Sequence, residues 1–263
     1  MTETFLEKIV AKTCEKVERQ KHGTDLDALR RKAIQTRAYA KPRRLRTALS
    51  RSDETNIIAE IKRASPSKGI INSEIDVIGL ALQYAAGGAA AISVLTEPEY
   101  FRGSLDDLRA VRSAVDLPVL CKDFTVDEFQ IYEAAAAGAD AILLIVAALP
   151  EDDLTSFLRL SQDELGIDAL VEVHNPAELE IATKIGAEII GVNNRDLHSL
   201  EVSLHVSRRL IVGRPKNALM VAESGISTRD EIDELKGLGF NGFLIGETLM
   251  RTGNATATLG GWI

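Results

Sequence analysis

Two cysteines and four histidines are little material for a metal centre, and they are scattered. Cys14 and Cys121 lie far apart, and His22, His174, His198 and His205 form no HxxxH or HxH pair. The ligand spacing of a dedicated metal cage is missing, so no metal is expected. Two distant cysteines cannot staple a small secreted fold either. With a start, MTETFLEKIV, that lacks the apolar core of a signal peptide, they point to a reducing, cytoplasmic setting. The longest apolar stretch, Ala141 to Pro150, falls far short of the roughly 20 residues a membrane span needs, so no membrane partner is expected. Basic excess is absent as well: 39 acidic against 31 basic residues give a net charge of −8. That excludes the broad cationic face of a nucleic-acid-binding protein and leaves room only for a local anion site.

What the chain does have is rhythm. Its 263 residues, 45% of them hydrophobic, are enough to bury a sizeable core. From residue 56 onward, β-branched apolar runs alternate with segments of helical period. The runs are IIAEIK (57–62), AAISVLT (90–96), PVLCKDF (118–124), AILLIVAAL (141–149), DALVEVH (168–174), IIGVNNRDL (189–197), LMVAESGI (219–226) and GFLIGETLM (242–250). Continuous apolar strands are buried on both faces. The segments between them end at Gly88, Gly138, Gly186 and Gly239, where a helix terminus calls for a left-handed residue. Eight strands with unbroken spacing predict a single α/β domain over 1–263. It is a (β/α)8 TIM barrel of eight βα units (56–263) carrying an N-terminal helical extension (1–55). In the extension, Phe5, Leu6, Ile9, Val10, Cys14 and Val17 form one apolar stripe. Its second half is basic, with Arg30, Arg31, Lys32, Arg37, Lys41, Arg43, Arg44 and Arg46, and reads either as a solvated helix face or as an attractor for an anionic substrate.

The active site of such a barrel lies at the C-terminal strand ends. Period-two alternation sends Glu60 and Lys62 inward with Ile58, Lys122 with Phe124, Glu172 with Leu170 and His174, and brings Asn193 and Arg195 to the same rim. One such pair could be a self-satisfied salt bridge. Four charges converging from three non-adjacent strands suit acid–base work on a polar substrate better, because a core serving stability alone would be Val, Ile and Leu. Two lysines and two carboxylates in a partly dry cavity can have their proton affinities driven apart. The turns after strands seven and eight, at Gly225 and Gly246, expose backbone amides suited to a phosphate, with the Ser224 hydroxyl beside them. Phe101 and Phe124 could face a planar ring or belong to the core.

The strand-end words IIAEIKRASPSKG (57–69), SVLTEPEYFRGS (93–104), PVLCKDF, LVEVHN (170–175), IGVNNRDL (190–197), AESGI (222–226) and FLIGETLM (243–250) closely resemble the indole-3-glycerol-phosphate synthase family of tryptophan biosynthesis. The resemblance covers essentially the whole chain, and EIKRASPSKG with CKDF is its most specific part. It implies a monofunctional carboxy-lyase without cofactor or metal. Such an enzyme closes the ring of 1-(2-carboxyphenylamino)-1-deoxyribulose 5-phosphate, losing carbon dioxide and water to leave indole-3-glycerol phosphate. It further implies that Lys122 is the general acid toward the ribulose carbonyl oxygen and that Glu172 is the acid–base group of the dehydration. Lys62 would hold the substrate carboxylate or phosphate, though the sequence leaves open which lysine acts in which step. Glu60, Asn193 and Ser224 would orient the substrate, Ser65 and Arg195 would complete the ligand shell, and Phe101 and Phe124 would wall the anthranilate ring. Glu247, where a hydroxyl residue would suit a phosphate better, is given no role. A small-molecule substrate and a monomer are expected. Two other readings stay open, a Schiff-base phosphosugar aldolase using an inward lysine and a barrel that binds without turnover.

Overall fold

A computed structural model of the protein describes residues 4–197 and 199–263; the first three residues and His198 lie outside it. The eight expected strands form as β1 (Ile57–Ile61), β2 (Ala91–Leu95), β3 (Val119–Lys122), β4 (Ala141–Ile145), β5 (Asp168–Val173), β6 (Ile189–Asn193), β7 (Leu219–Glu223) and β8 (Gly242–Ile245). Each pairs in parallel with the next, and β8 pairs back onto β1. The sheet is therefore a closed barrel, and the TIM-barrel expectation holds. The fourth apolar run stops being a strand at Ile145 and continues as a 3-10 turn over Val146–Ala148.

The alternation read from the sequence sorts two cores. Ile58, Ala91, Leu120, Leu143, Leu170, Ile189, Val221 and Leu244 fill the barrel interior. Their strand neighbours Ile57, Ala59, Ile92, Val119, Ile142, Val171, Ile190 and Phe243 pack outward against the helices. Five of those helices begin where a polar side chain accepts from a free first-turn amide, at Asp76, Ser104, Asp127, Asn175 and Thr228. The chain turns back toward the next strand through Gly88, Gly138, Gly186 and Gly239, all at positive φ.

The extension spans the barrel from mouth to floor. Helix α1 (Phe5–His22) opens with a capping box between Thr4 and Glu7 and buries Leu6, Ile9, Thr13 and Val17. Thr13 takes the buried place expected of Cys14, whose side chain is exposed, since a step of four from Ile9 and four on to Val17 leaves Cys14 one position off the stripe. Helix α2 (Leu26–Ala38) follows, and α3 (Arg44–Leu49) plugs the N-terminal end of the barrel, where Leu45 and Leu49 join the interior core. Neither reading of the basic run describes most of it. Arg37 is buried 3.2 Å from Asp140, Arg44 lies 3.3 Å from the same carboxylate, Arg43 reaches Asp168 at 2.6 Å and also Glu188, and Arg46 reaches Glu188 at 2.9 Å. Asp140 and Glu188 directly precede β4 and β6, and Asp168 starts β5, so these arginines bolt the extension to the floor, the face opposite the strand ends that carry chemistry. Arg31, Lys32 and Lys41 stand exposed as a solvated face would, and Arg46 is exposed as well while keeping its pair with Glu188.

Candidate active site

A cavity of about 880 Å³ opens at the C-terminal strand ends, within the size range of sites that enclose small molecules. Every residue singled out from the sequence lines it: Glu60, Lys62, Ser65, Phe101, Lys122, Phe124, Glu172, Asn193, Arg195, Ser224, Gly225 and Gly246. Local structure explains several of these placements. Glu97, buried after β2, accepts from the amides of Glu99, Tyr100 and Phe101 and so folds the loop that carries Phe101 inward. Phe101 and Phe124 then stand 6.2 Å apart at 38°, a tilted pair that makes one aromatic wall against which a flat ring could lie. A short hairpin, Ala64–Ser65 with Gly69–Ile70, shapes the loop after β1. Arg195 reaches from the loop after β6 to Ser67 Oγ at 3.2 Å, joining two loops over the cavity.

The charged groups are wired together. Lys122 Nζ lies 3.2 Å from Glu172 Oε2 and 3.4 Å from Glu223 Oε2, and Lys62 Nζ lies 2.6 Å from Glu60 Oε1. Asn193 Nδ2 donates to Glu172 Oε1 at 3.1 Å, fixing the face that this carboxylate presents. Burial alone would strip Lys122 of its charge, but the carboxylates of Glu172, Glu223 and Glu60 outweigh it and hold the ammonium above the ordinary lysine range. Glu172 is buried as well, yet Lys122, His174 and Asn193 keep it ionised well below the usual carboxylate range. Glu223 goes the other way. Burial, seconded by the charges of Glu172 and Glu60, overrides Lys122 and pushes its carboxyl up to about 8. Two buried carboxyls on one lysine thus have proton affinities driven apart, the arrangement that lets one group accept while another donates.

Glu223 is the residue the sequence reading passed over. Its signal was available, because Val221 points inward and period two carries Glu223 to the same side. Its Oε1 is buried and has no hydrogen-bond partner among the described residues. Glycine makes the space for it: a Cβ at Gly191 would sit 1.9 Å from Glu223 Oε1, and one at Gly246 would sit 2.5 Å from Glu60 Oε1. Phe5 and Leu6 of α1 also line the cavity, as do Ser67, Lys68, Ser227, Thr248 and Arg251. Glu247 is 3.1 Å from Arg251 and 3.9 Å from Lys68, so this carboxylate gathers cations beside the Gly246 turn. Among the described residues, no group of three or more His, Cys, Asp or Glu is placed to hold a metal ion, and no helix is long and apolar enough to cross a membrane.

The family model of indole-3-glycerol phosphate synthase matches residues 6–260. The chain belongs to that family. An indole-3-glycerol phosphate synthase of Lachnoclostridium phytofermentans is 54% identical over 76% of this chain and 73% of its own length. That of Endomicrobium trichonymphae is 46% identical over 97% of this chain and 98% of its own. Among solved structures, a thiamine phosphate pyrophosphorylase from Pyrococcus furiosus matches with a TM-score of 0.59 at 19% identity, over 83% of this chain and 95% of that one, a likeness of fold. Indole-3-glycerol phosphate synthases are decarboxylating lyases of tryptophan biosynthesis, and the motifs that suggested the family are the ones whose side chains meet in the cavity.

Proposed function

We propose that the cavity converts 1-(2-carboxyphenylamino)-1-deoxyribulose 5-phosphate into indole-3-glycerol phosphate, carbon dioxide and water, with Lys122 and Glu172 as its principal proton-transfer groups. The observation that carries this reading is the Lys122 ammonium held inside the cavity between Glu172 and Glu223. Attack of the aryl carbon on the ketone forms a carbon–carbon bond and drives charge onto the carbonyl oxygen. A buried ammonium there supplies both the counter-charge and the proton. Loss of carbon dioxide returns its bonding pair to the ring. The new hydroxyl then leaves as water, taking a second proton from the Glu223 carboxyl, which is pushed up to about 8, while Glu172, held ionised, accepts the proton given up by the neighbouring carbon.

Lys62, paired with Glu60, is placed to meet the substrate carboxylate. Glu60, Asn193 and Ser224 orient the hydroxyls, joined by Glu223, which lines the same cavity. The phosphate belongs where the loops after β1, β7 and β8 converge, at the Gly225 and Gly246 turns with Ser65 and Arg195 completing the shell. Phe101 and Phe124 together wall the anthranilate ring. A Schiff base at Lys122 is disfavoured by the two carboxylates beside its ammonium, since imine formation needs a neutral amine. The reading includes one domain over 1–263 working as a cytoplasmic monomer, in keeping with two unpaired cysteines.

The test is to mix purified protein with the substrate in metal-free buffer and follow indole fluorescence. Rising signal supports the reading. A flat trace from folded protein overturns it and sends attention to borohydride trapping at Lys62 and Lys122.

A further inference from the structure

Beside Glu172, outside the set of residues that line the cavity, stands His174. It follows β5 at the alternating position and is nearly buried. Its Nε2 lies 3.3 Å from Glu172 Oε1, and its Nδ1 lies 3.1 Å from Glu178 Oε2. Glu178 cannot easily swing away. It is the third residue of the helix Pro176–Lys184, where it accepts from the backbone amide of His174 at 2.7 Å and from the Asn175 side chain, while Asn175 Oδ1 caps its own amide at 3.0 Å. The result is a line of alternating charge, Lys122, Glu172, His174, Glu178, running from the cavity to a helix terminus.

An imidazole with a carboxylate within 3.3 Å of each nitrogen is favoured in its protonated form by both charges. Burial opposes that charge, but Glu172 and Glu178 override it and raise His174 to about 10. The approach to Glu172 is one of charge more than of a well-aligned hydrogen bond, because Nε2 finds no partner of good geometry despite the 3.3 Å distance. This matters once the reaction starts. In the resting site Glu172 has two cations, Lys122 and His174; when Lys122 gives its proton to the substrate oxygen, one of them is gone.

We propose that His174 is a positioning residue whose fixed imidazolium keeps Glu172 ionised, and therefore able to accept a proton, after Lys122 has released its own. The proposal rests on Glu172 being the proton acceptor. The charged groups facing Glu172 are Lys122 from β3, Glu223 from β7 and His174 itself, with Glu60 of β1 acting on the same lysine. Those facing His174 are Glu172 and Glu178.

The experiment compares pH–rate profiles of the wild type, His174→Gln and Glu178→Gln, each first checked for a native melting transition, with Glu172→Gln in parallel. Gln at 174 can still donate a hydrogen bond but carries no charge. The acidic limb of kcat, set by ionisation of Glu172 in the complex, is expected to move up by about one pH unit or more, the effect of removing a cation within 4–6 Å of a carboxylate. Below that limb kcat falls at least tenfold, with KM changed much less. Glu178→Gln keeps the ring but weakens its charge, and is expected to shift the limb the same way by a smaller amount. An unmoved limb in His174→Gln overturns the proposal, whether or not the rate falls. If that variant does not fold, an unmoved limb in Glu178→Gln does the same. Full activity in Glu172→Gln would instead remove the reading on which the proposal stands, a separate and recognisable result.

Discussion

Asp140 offers a sharp test of what holds the extension to the barrel. Its carboxylate is 1% exposed and faces Arg37 at 3.2 Å, Arg44 at 3.3 Å and Arg112 at 2.7 Å, while accepting from the Val119 amide at 3.1 Å. The Arg37 side chain is itself only 6% exposed. Asp140→Ala therefore strands a buried guanidinium and orphans a strand amide at once. Removing one member of a buried ion pair costs about 3–5 kcal/mol, and for a chain near this size each kcal/mol moves the melting temperature by roughly 2–4 °C. The expected fall is then about 6–20 °C, insensitive to added salt because the groups are buried. Turnover at 25 °C should stay within about twofold, since the cluster lies on the floor and the chemistry at the mouth, a separation typical of this fold. Thermal melts at low and high salt, read beside indole fluorescence, check both halves. A loss under about 3 °C would show that the arginines are solvated after all, and a large loss of activity at temperatures well below the melt would break the separation of floor from mouth.

Lys122→Met should lower turnover by about 10²–10⁴-fold, the usual worth of a positioned proton donor, while circular dichroism remains native; retained turnover would remove Lys122 from the role given it. Gly191→Ala would press a methyl into Glu223, and overpacking of this kind costs about 1–3 kcal/mol. Displacing Glu223 should also cut kcat, by up to about 10²-fold if the shift reaches 1 Å; a variant with wild-type rate would show that Glu223 placement is immaterial. His174 titrates near 10 in the folded protein against an ordinary 6.5. Its ionic contribution to stability is therefore complete below about pH 6.5 and lost as pH climbs toward 10. The gap in melting temperature between wild type and His174→Gln should narrow over that window, and a gap that widened would refute the sign.

The barrel was legible because period two and helical period are local properties, and so was the inward direction of Glu60, Lys62, Lys122 and Glu172. Glu223 obeyed the same rule and was missed because AESGI draws the eye to its glycine turn. The destination of the basic run was beyond local reading. Arg37 finds Asp140 across 103 residues and Arg43 finds Asp168 across 125, and a lone Asp before a strand does not announce three arginines. His174 was placed on the inner face, but its role depends on Glu178 sitting in the first turn of the next helix, a contact of capping geometry rather than of strand pattern. Phe5 and Leu6 were seen as apolar, though not as part of the cavity wall.

The plug at the barrel floor has a consequence for how the polypeptide is made. Arg43, in the first fifth of the chain, must wait for Asp168 and then Glu188, 145 residues later, before its partners exist. During synthesis the opening segment therefore leaves the ribosome early and docks late, carrying Leu45 and Leu49 uncovered through translation of the first five or six βα units. A segment translated before every βα unit thus specifies one of the latest events in assembly. A nascent chain halted before residue 188 would hold a floorless, unclosed sheet, the stage at which this protein depends most on being shielded from its neighbours.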